Sequence, residues 1–527
     1  MAGQIDTLIE HLQQPGIYHH AVENLTMIET HISWVVLTGP YAYKIKKPLD
    51  LGFLDFSTLD KRRHYCDEEL RINRRLAPEI YLEVVPITGS TAQPHLGGTG
   101  IPIEYAVKMI QFPQQTRLDY CLQRGDLSPK QVEDLAGKVA AFHQNVAIAP
   151  QDSPYGAPKT IGQPALENFQ QMEIFLKEAE DQKKLARLRH WTEKKWQQLQ
   201  AEFTGRKKAG FVRECHGDLH LGNIALREGK FIIFDGIEFN ENLRWIDVMS
   251  ELAFLIMDLE NRGRPDLAHR CLNSYLEHSG DYPGLAVLAY YQVYRALVRA
   301  KVTAIRLGQT PPETQAIKER CRDYLNLALH YIQPARSFLL ITHGLSGSGK
   351  TTLSQPLIER FGTIRLRSDI ERKRRHGLKP RERLNKGIGI GMYSAESSHK
   401  TYQHLQQLAQ TILKAGYPLI VDAAFLKQQQ RQIFQDLANK LNIPFAILDF
   451  HCDPQQLQQR IRERQHKNQD ASDADLAVLE HQQATQEPLT KAEQAITLAI
   501  DTSQTQAMET VIQQLQVLTG EKAPRVK

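Results

Sequence analysis

The sequence predicts two domains of different class, an α+β domain followed by an α/β domain with a doubly wound parallel sheet. Short strand patterns and then long helical patterns fill the first part of the chain, which is typical of an α+β arrangement. After Gln333-Pro334 a buried strand pattern begins, and strands then alternate with helices, as in a doubly wound sheet. At 527 residues the chain is too long for one hydrophobic core. We therefore expect one domain over residues 1–334 and another over residues 335–527.

The first domain is organised around the stretch His216–Asn223, whose sequence is HGDLHLGN. Asn223 follows Asp218 closely, and Asp235 ends the apolar run 231–234. Phosphoryl transfer from Mg-ATP needs such a set of groups, because one carboxylate orients or deprotonates the attacking hydroxyl while an amide and a second carboxylate hold the metal. The alternative is a polar turn between two strands. The offsets of all three groups favour the phosphoryl-transfer interpretation.

The motif HGDxxxxN followed by a strand that ends in Asp resembles the aminoglycoside phosphotransferase family, the small-molecule kinases of the protein-kinase fold. Gly217 stands where protein kinases have Arg. The resemblance implies a two-lobed domain, with a small lobe over about residues 1–109 and a helical lobe over about residues 110–334. It also implies roles for four residues: Asp218 as catalytic base, Asn223 and Asp235 as magnesium ligands, and His216 as a scaffold for the loop.

Two lysines alternate along a predicted strand near the start of the chain. The strand patterns Ser33–Leu37 and Ala42–Lys46 are separated by a Gly-Pro turn, and Lys44 and Lys46 share one face of the second strand. A kinase lysine needs a glutamate on the next helix, which the sequence predicts over Leu59–Leu76. We expect Lys44 to reach the ATP phosphates and Glu69, rather than Glu68, to hold it. A solvated strand edge is the alternative, and no GxGxxG motif precedes the lysines.

Helical patterns dominate the rest of the first domain. Ser128 before Pro129 predicts a helix start, and that helix runs to Asn145. A polar connector is expected over residues 150–164 and one or two long helices over 166–203. Farther on, three acids recur at helical spacing, and they form either a solvated helix face or a cleft face suited to a cationic substrate: Asp247, Glu251 and Asp258. The family resemblance places a structural aspartate that braces the catalytic loop near Asp247.

The second domain begins with a complete GxxxxGK[ST] motif between a strand, Phe338–Thr342, and a predicted helix. Backbone N–H groups of such a loop hold phosphates, the lysine reaches their outer oxygens and the threonine hydroxyl binds Mg²⁺. The expected ATP-binding residues are Gly344, Ser346, Gly347, Ser348, Gly349, Lys350, Thr351 and Thr352. Asp422 ends a later strand, so it is either the second magnesium ligand, beside Thr351, or an ordinary strand-end aspartate.

Asp369 follows another strand and resembles the substrate-side aspartate of gluconate-kinase-like and zeta-toxin-like P-loop kinases, which implies a catalytic base. Arg460, Arg462 and Arg464 have the spacing of an arginine lid over ATP, and Arg460 and Arg464 are the expected members; exposed arginines are the alternative. The basic segment 365–386 favours an anionic substrate or an RNA end, although it lacks stacking aromatic residues. The stretch 387–391 predicts a mobile or plain surface loop.

The composition is that of an ordinary soluble protein. With 65 basic and 60 acidic residues, the net charge of +5 is too small to indicate nucleic acid as a partner. The six cysteines form no CxxC pair, so neither a disulfide framework nor a zinc site is indicated. The sequence contains no apolar run long enough for a membrane helix, and Met1–Asp6 does not resemble a signal peptide. We expect a cytoplasmic protein.

Taken as a whole, the chain resembles a bacterial fusion of an aminoglycoside phosphotransferase with a P-loop ATP-binding domain. The resemblance rests on HGDLHxxN, FDGIEF, GLSGSGKT, RSDIERK and VDAAF. It implies an enzyme with two ATP- and Mg²⁺-dependent sites, each acting on a hydroxyl of a small molecule. The alternatives are a P-loop half that is an NTPase or ATP-sensing switch, or one that acts on RNA 5′-hydroxyl ends. The acceptors, the coupling of the two halves and the oligomeric state stay open.

Overall fold

The structure is a computed structural model, and it describes residues 2–52, 54–307, 314–334, 337–379, 382, 394–467, 474–504 and 507–519. These residues form two units that interleave along the chain. Unit 1 comprises Met1–Gln131, Phe142–Asp258 and Tyr294–Ile317, and unit 2 comprises Val132–Ala141, Leu259–Val293 and Lys318–Lys527. Within the described part of the chain, every helix is too short or too polar to span a bilayer.

Unit 1 contains an antiparallel sheet with the strand order β1-β2-β3-β6-β4-β5. Alternate residues of the third strand point to opposite faces. Tyr43 and Ile45 join the apolar core under helix α1 (Ala2–His11), whereas Lys44 and Lys46 point to the other face. The strands are β1 (Thr26–Glu29), β2 (Ser33–Leu37), β3 (Tyr41–Lys46), β4 (Tyr81–Ser90), β5 (Gln93–Leu96) and β6 (Glu104–Ile110).

Helix α2 (Leu59–Asn73) packs on the face of the sheet that carries the two lysines. The side chain of Thr58 caps its first turn by accepting a hydrogen bond from the Lys61 N–H. The helix ends at Asn73, three residues before the predicted end, and Ala77-Pro78 follows in a turn. Cys66, Glu69 and Asn73 recur at helical spacing on its buried side, so the fold places Glu69 opposite the lysines.

Helices make up most of the remainder of unit 1 and continue into unit 2. As predicted, the side chain of Ser128 caps the helix that begins at Pro129. The connector predicted over residues 150–164 is wrong in its second half, because α5 begins at Pro158 and includes Pro164. The buried face of α5 outweighs the hydrogen bond that this proline removes. The helices are α3 (Leu118–Arg124), α4 (Pro129–Asn145), α5 (Pro158–Glu173), α6 (Ala179–Gln198), α7 (Gln200–Lys208), α8 (Glu241–Arg244), α9 (Val248–Asn261), α10 (Pro265–Ser279), α11 (Leu285–Leu307) and α12 (Thr314–Tyr331).

Two small antiparallel ladders hold the HGDLHLGN loop of unit 1. Strand β7 (Val212–Glu214) pairs with β10 (Trp245–Asp247), and β8 (Ile224–Arg227) pairs with β9 (Lys230–Ile233). The HGDLHLGN loop connects β7 to β8, and Asp235 follows β9. The ladders therefore bring Asp218, Asn223 and Asp235 to one place, as the motif predicted.

Unit 2 contains a parallel sheet with the order β12-β13-β11-β14-β15, which confirms the doubly wound α/β class. The strands are β11 (Leu339–His343), β12 (Ile364–Arg367), β13 (Leu419–Asp422), β14 (Phe445–His451) and β15 (Thr497–Asp501). The helices are α13 (Lys350–Leu353), α14 (Gln355–Phe361), α15 (Ser368–Arg375), α16 (Ala395–Lys414), α17 (Gln428–Leu441), α18 (Pro454–Lys467), α19 (Leu476–Thr485), α20 (Lys491–Gln494) and α21 (Ala507–Thr519). The glycine-containing stretch 387–391 and the end of the basic segment, residues 383–386, lie outside the described residues.

Candidate active sites

Glu69 lies between both candidate lysines of unit 1. Lys44 Nζ is 2.8 Å from Glu69 Oε1 and 2.6 Å from Asp235 Oδ1. Lys46 Nζ is 2.8 Å from Glu69 Oε2 and also contacts the Glu238 carboxylate. The lysine side chains are only 11% and 1% exposed, so the solvated strand edge considered above is wrong. Burial alone would raise the pKa of Glu69, but the two ammonium groups lower it, and the carboxylate stays charged.

The two lysines differ in what else they touch. Lys44 reaches Asp235, whose side chain is 49% exposed, whereas Lys46 reaches Glu238, whose side chain is 4% exposed. A lysine that binds phosphates must face an open site, because the phosphates arrive from solvent. This geometry supports Lys44 in that role and gives Lys46 an internal one.

The HGDLHLGN loop holds the Asp218 carboxylate through one of its two oxygens. Asn223 Nδ2 donates to Asp218 Oδ2 at 2.9 Å, and His220 Nε2 lies 3.4 Å from the same oxygen. Within the described part of the chain, Asp218 Oδ1 has no hydrogen-bond partner. Burial would raise the pKa of Asp218, but His220 lowers it overall through its charge and hydrogen bond. The loop therefore presents one ionised carboxylate oxygen that an acceptor hydroxyl can approach.

His216 supports the loop from within. Its Nε2 lies 2.9 Å from the carbonyl of Phe234, and its Nδ1 accepts from the Asp218 N–H at 3.3 Å. Burial lowers the pKa of His216, so the neutral ring can donate at Nε2 and accept at Nδ1. His216 is therefore a scaffold, the role implied by the family resemblance, and it links the residue before Asp235 to Asp218.

Asp247, Glu251 and Asp258 accept hydrogen bonds from backbone N–H groups or form ion pairs inside unit 1. They form neither a solvated helix face nor a site for a cationic substrate. All three are buried, at 1% to 3% exposure. Glu251 accepts from the Gly217 N–H at 2.6 Å and lies 2.8 Å from His143 Nε2. Asp258 accepts from the Leu221 N–H at 3.0 Å. Asp247 pairs with Arg206, so the acid that holds Gly217 is Glu251, one helical turn beyond the expected position.

Gly217 cannot be replaced by a residue with a side chain in this arrangement. Its φ is +88°, and a Cβ there would lie 2.7 Å from the Leu243 carbonyl oxygen. Arg295 donates to the Gly217 carbonyl at 3.1 Å. The glycine at the position of the protein-kinase arginine is thus required by the close approach of the segment that carries Leu243.

The donor set beside Asp218 fits a hard divalent cation. Asn223 Oδ1 and Asp235 Oδ2 have no partner among the described residues, because Asn223 uses its nitrogen on Asp218 and Asp235 uses Oδ1 on Lys44. Amide and carboxylate oxygens are the ligands that Mg²⁺ prefers, completed by water and phosphate. Asp235 has a left-handed backbone, with φ +62°. Its N–H donates to Tyr81 Oη at 3.0 Å.

Sequence reasoning missed His220, Tyr81 and Glu238. His220 lies within the motif, yet its contact with Asp218 depends on a ring orientation fixed by Phe254 and by the Gly222 N–H, which donates to Nδ1. Tyr81 becomes a neighbour of Asp235, and Glu238 a partner of Lys46, only through the tertiary fold. Glu238 belongs to the FDGIEF motif. The sequence therefore showed this acid but not its partner, Lys46.

The phosphate loop of unit 2 is formed with its lysine folded onto the loop. Lys350 Nζ donates to the carbonyls of Gly344 and Leu345 at 2.9 and 2.8 Å. Gly347 and Gly349 have φ of +84° and +89°, conformations that favour glycine. Burial lowers the pKa of Lys350 to about 8, partly offset by Asp422 and Asp369. A phosphate would replace the two carbonyls as the partner of this ammonium.

The expected magnesium ligands of unit 2 touch each other. Thr351 Oγ1 donates to Asp422 Oδ2 at 2.6 Å, which places a hydroxyl and a carboxylate together at the end of β13. Asp369 is the second residue of the α15 helix, has a side chain 32% exposed, and lies 3.5 Å from Arg372. Asp369 also lies near enough to Lys350 to act on its charge. Asp369 is therefore one of the carboxylates whose charge acts on Lys350, and its role as the base stays a prediction.

The arginines of α18 differ in their surroundings. Arg460 donates to Thr502 at 3.0 Å. Its Nη1 lies 3.5 Å from the point that a Cβ atom on Gly349 would occupy. Arg464 donates to the Ala474 carbonyl and contributes to the lowered pKa of Lys350. Arg462 is exposed. The approach of Arg460 to the loop fits its expected place near ATP, and the lid roles of Arg460 and Arg464 stay predictions.

Two arginines of the basic segment are paired with acids, one inside the segment and one on α10. Arg365 pairs with Glu277 of α10 at 3.1 Å, and Arg374 pairs with Glu371. Lys373 is 1% exposed. The described part of the segment, up to residue 379, therefore offers less positive charge to an RNA backbone than its composition indicated.

Comparison with known proteins identifies both halves. A model described as "Phosphotransferase enzyme family" matches residues 56–288, and one described as "AAA domain" matches residues 339–489. Among solved structures, amicoumacin kinase hAmiN is 13% identical with a TM-score of 0.39, and covers 62% of this chain and 96% of its own. A sugar kinase from Janibacter sp. HTCC2649 is 19% identical with a TM-score of 0.27, and covers 35% of this chain and 95% of its own.

Two mycobacterial relatives match most of the chain. Over 424 residues the chain is 30% identical to an uncharacterised protein of Mycobacterium tuberculosis, with 80% of this chain and 82% of that protein covered. A Mycobacterium bovis protein matches with the same identity and coverage. The chain therefore belongs to the family of these mycobacterial proteins, and it joins a phosphotransferase-family domain to a P-loop, kinase-like AAA domain.

Proposed function

We propose that the chain is an ATP-dependent phosphotransferase with two active sites, each of which transfers the γ-phosphate of Mg-ATP to a hydroxyl group of a small molecule. The observation that carries the proposal is the arrangement around Asp218. One of its carboxylate oxygens is held by Asn223 and His220, the other has no partner among the described residues, and Lys44 and Asp235 form an ion pair in the same unit. These groups supply base, metal ligands and phosphate clamp in one place.

In the first site each side chain has a separate task. Lys44 gives up its contact with Asp235 in order to bind the phosphates, and Glu69 continues to hold it. Lys46 keeps the other oxygen of Glu69 paired during this change. Mg²⁺, bound by Asn223 and Asp235, would neutralise charge on the phosphates. Asp218 accepts the hydrogen bond of the acceptor hydroxyl through Oδ1. Because its pKa is lowered, Asp218 is ionised at neutral pH, and it orients the hydroxyl before taking its proton.

In the second site the loop lysine and Asp369 take the corresponding tasks. Lys350 exchanges the carbonyls of Gly344 and Leu345 for phosphate oxygens. Thr351 and Asp422 would hold Mg²⁺. Asp369 accepts a hydrogen bond from the acceptor hydroxyl, and Arg460 and Arg464 of α18 supply positive charge near the loop.

The location that fits these nucleotide-dependent reactions is the cytoplasm, and the acceptor class stays a small alcohol. The buried acids of α9 give no support for a cationic acceptor, because Glu251 and Asp258 are already occupied by backbone N–H groups. The paired arginines of the basic segment likewise weaken the RNA alternative.

The test is to follow γ-labelled ATP with the intact protein, Asp218→Asn and Lys350→Ala in the presence of sugars, aminoglycosides, small alcohols, nucleosides and 5′-hydroxyl RNA. Transfer to an acceptor that one variant alone abolishes assigns that acceptor to its site. Release of label only as inorganic phosphate, lost in Lys350→Ala, would instead make the second half an NTPase or switch. Label on RNA, lost in Lys350→Ala, would replace the small-molecule acceptor of that half.

A further inference from the structure

Three consecutive backbone N–H groups fix the turn that carries Asp235. Asp235 donates to the Tyr81 hydroxyl at 3.0 Å, and Gly236 donates to Asn73 Oδ1 at 2.8 Å. Ile237 donates to the carbonyl of His216 at 2.9 Å. The turn is therefore bound to β4, to α2 and to the HGDLHLGN loop.

Glu238, the next residue, adds an ionic bond to a further element. Its carboxylate contacts Lys46 Nζ on β3, and both side chains are sealed from water, at 4% and 1% exposure. Lys46 Nζ also lies 4.9 Å from the centre of the Phe56 ring, which is fully buried. An ion pair so enclosed is not screened by solvent, and Glu238 depends on Lys46 to remain charged, whereas Lys46 also contacts Glu69.

The strand that contributes Lys46 also contributes Lys44. Asp235 and Glu238 flank the same short turn, and Lys44 and Lys46 flank one residue of β3. Two ion pairs, Lys44 to Asp235 and Lys46 to Glu238, therefore join the turn to the strand side by side. When Lys44 turns to the phosphates, Lys46 and Glu238 still join strand and turn.

We propose that Glu238, through Lys46, is a positioning residue for Asp235, which holds the metal-binding carboxylate in register with the phosphate-binding lysine. This inference rests on the proposed function of the first site. Asp235 has a left-handed backbone, φ +62°, which costs energy for a residue with a side chain, so it persists only where surrounding contacts impose it. Glu238 supplies a buried ionic contact of the turn with Lys46, in addition to the Arg244 guanidinium, which donates to the Glu238 carbonyl at 2.9 Å.

The experiment measures binding of a non-hydrolysable ATP analogue to the full chain in a Lys350→Ala background, which silences the second site, across a series of Mn²⁺ concentrations. Glu238→Gln removes the charge and keeps the shape of the side chain. We expect the Mn²⁺ concentration at half-saturation to rise about 10-fold, the usual loss when a group that orients a metal ligand is changed. Binding of the analogue without metal should stay near the parent value.

Glu104→Gln is the matched control, because Glu104 is also fully buried and paired with an arginine, Arg62, but touches no residue of the 235–238 turn. Tyr81→Phe is the second variant: it removes the acceptor of the Asp235 N–H without changing charge, and should also raise the Mn²⁺ requirement. If Glu238→Gln does not fold, Tyr81→Phe decides.

The inference is overturned if Glu238→Gln, or Tyr81→Phe in its place, requires no more Mn²⁺ than Glu104→Gln. It is equally overturned if the variant weakens binding by the same factor with and without Mn²⁺, since the role of Glu238 would then be structural alone. If the Lys350→Ala parent shows no Mn²⁺-dependent binding of the analogue, the proposed function of the first site fails. This separate outcome removes the inference as well.

Discussion

Lys44 and Lys46 show how much one residue's surroundings decide. Both lie on one face of β3 and both contact Glu69. The alternating sequence pattern therefore does not show which of the two binds the phosphates. What separates them is the next contact: Lys44 reaches the half-exposed Asp235, and Lys46 reaches the buried Glu238. The sequence predicted the face correctly, but the partners come from residues nearly 200 positions away.

Replacing the two lysines separately should give opposite results. We expect Lys44→Met to weaken nucleotide binding at the first site at least 10-fold with a small change in melting temperature. Lys46→Met leaves Glu238 buried without its cation, which typically costs about 3–5 kcal/mol. It should therefore lower the melting temperature by several degrees. Nucleotide titration and thermal melts in the Lys350→Ala background measure both, and a Lys46→Met that melts like the parent would contradict this assignment.

Glu260 makes stability depend on pH in unit 2. Its carboxyl contacts the Tyr331 hydroxyl, and burial raises its pKa to about 7 from an ordinary 4.5. Because the folded-state pKa is raised, the contribution to stability is fully present below about pH 4.5 and is lost as pH rises through 7. We expect Glu260→Gln to melt higher than the parent at pH 8 and to lose this advantage at pH 5. If the melting temperatures of Glu260→Gln and the parent differ by the same amount at both pH values, the raised pKa of Glu260 is contradicted.

At the scale of elements, local patterns predicted most of the secondary structure that positions the sites. The strand Ser33–Leu37, the helix cap at Ser128 and the phosphate loop all follow from neighbouring residues, and the structure places them as predicted. The acids of α9 were misjudged, because helical spacing identifies a face but not what covers it. Their partners are N–H groups of a loop some 30 residues earlier, which no local pattern contains.

Truncating Glu251 tests the bracing role of α9. Glu251→Ala removes the acceptor of the Gly217 N–H and the carboxylate that contacts His143. An unsatisfied buried group costs about 1–3 kcal/mol, so we expect lower stability and a larger loss of transfer by the first site than by the second. Glu180→Ala is the control, because Glu180 is 80% exposed and should change neither property. Equal behaviour of the two variants in melting and turnover would contradict the role.

At the scale of the whole molecule, the two units do not follow the order of the chain. The helical pattern does end at Tyr331 and the next strand begins at Leu339, close to the predicted change at Gln333-Pro334. However, residues 259–293 pack with the parallel sheet in unit 2. Asn273 donates to the Thr363 carbonyl and accepts from the Arg365 N–H, as a neighbouring strand would. The boundary between 334 and 335 stays a prediction, because sequence patterns do not report such long-range packing.

Asn273 should therefore contribute to the stability of the second half. We expect Asn273→Ala to lower the melting temperature by a few degrees, because both of its bonds to the start of β12 are lost. A fragment that begins at residue 335 lacks these bonds and should exchange amide hydrogens of β12 faster than the intact chain does. Hydrogen exchange of β12 measures both, and unchanged protection in either would contradict the packing role.

The most direct test of the account compares binding with transfer in Asp218→Asn, once an acceptor of the first site is found. A positioned base contributes about 10²–10⁴-fold in rate. The account predicts a loss of that size in turnover on the acceptor, with Mg-nucleotide affinity close to that of the intact protein, because Asn223, Asp235 and Lys44 are untouched. Turnover near that of the intact protein would contradict Asp218 as the group that directs the hydroxyl, and with it the proposed phosphotransferase mechanism.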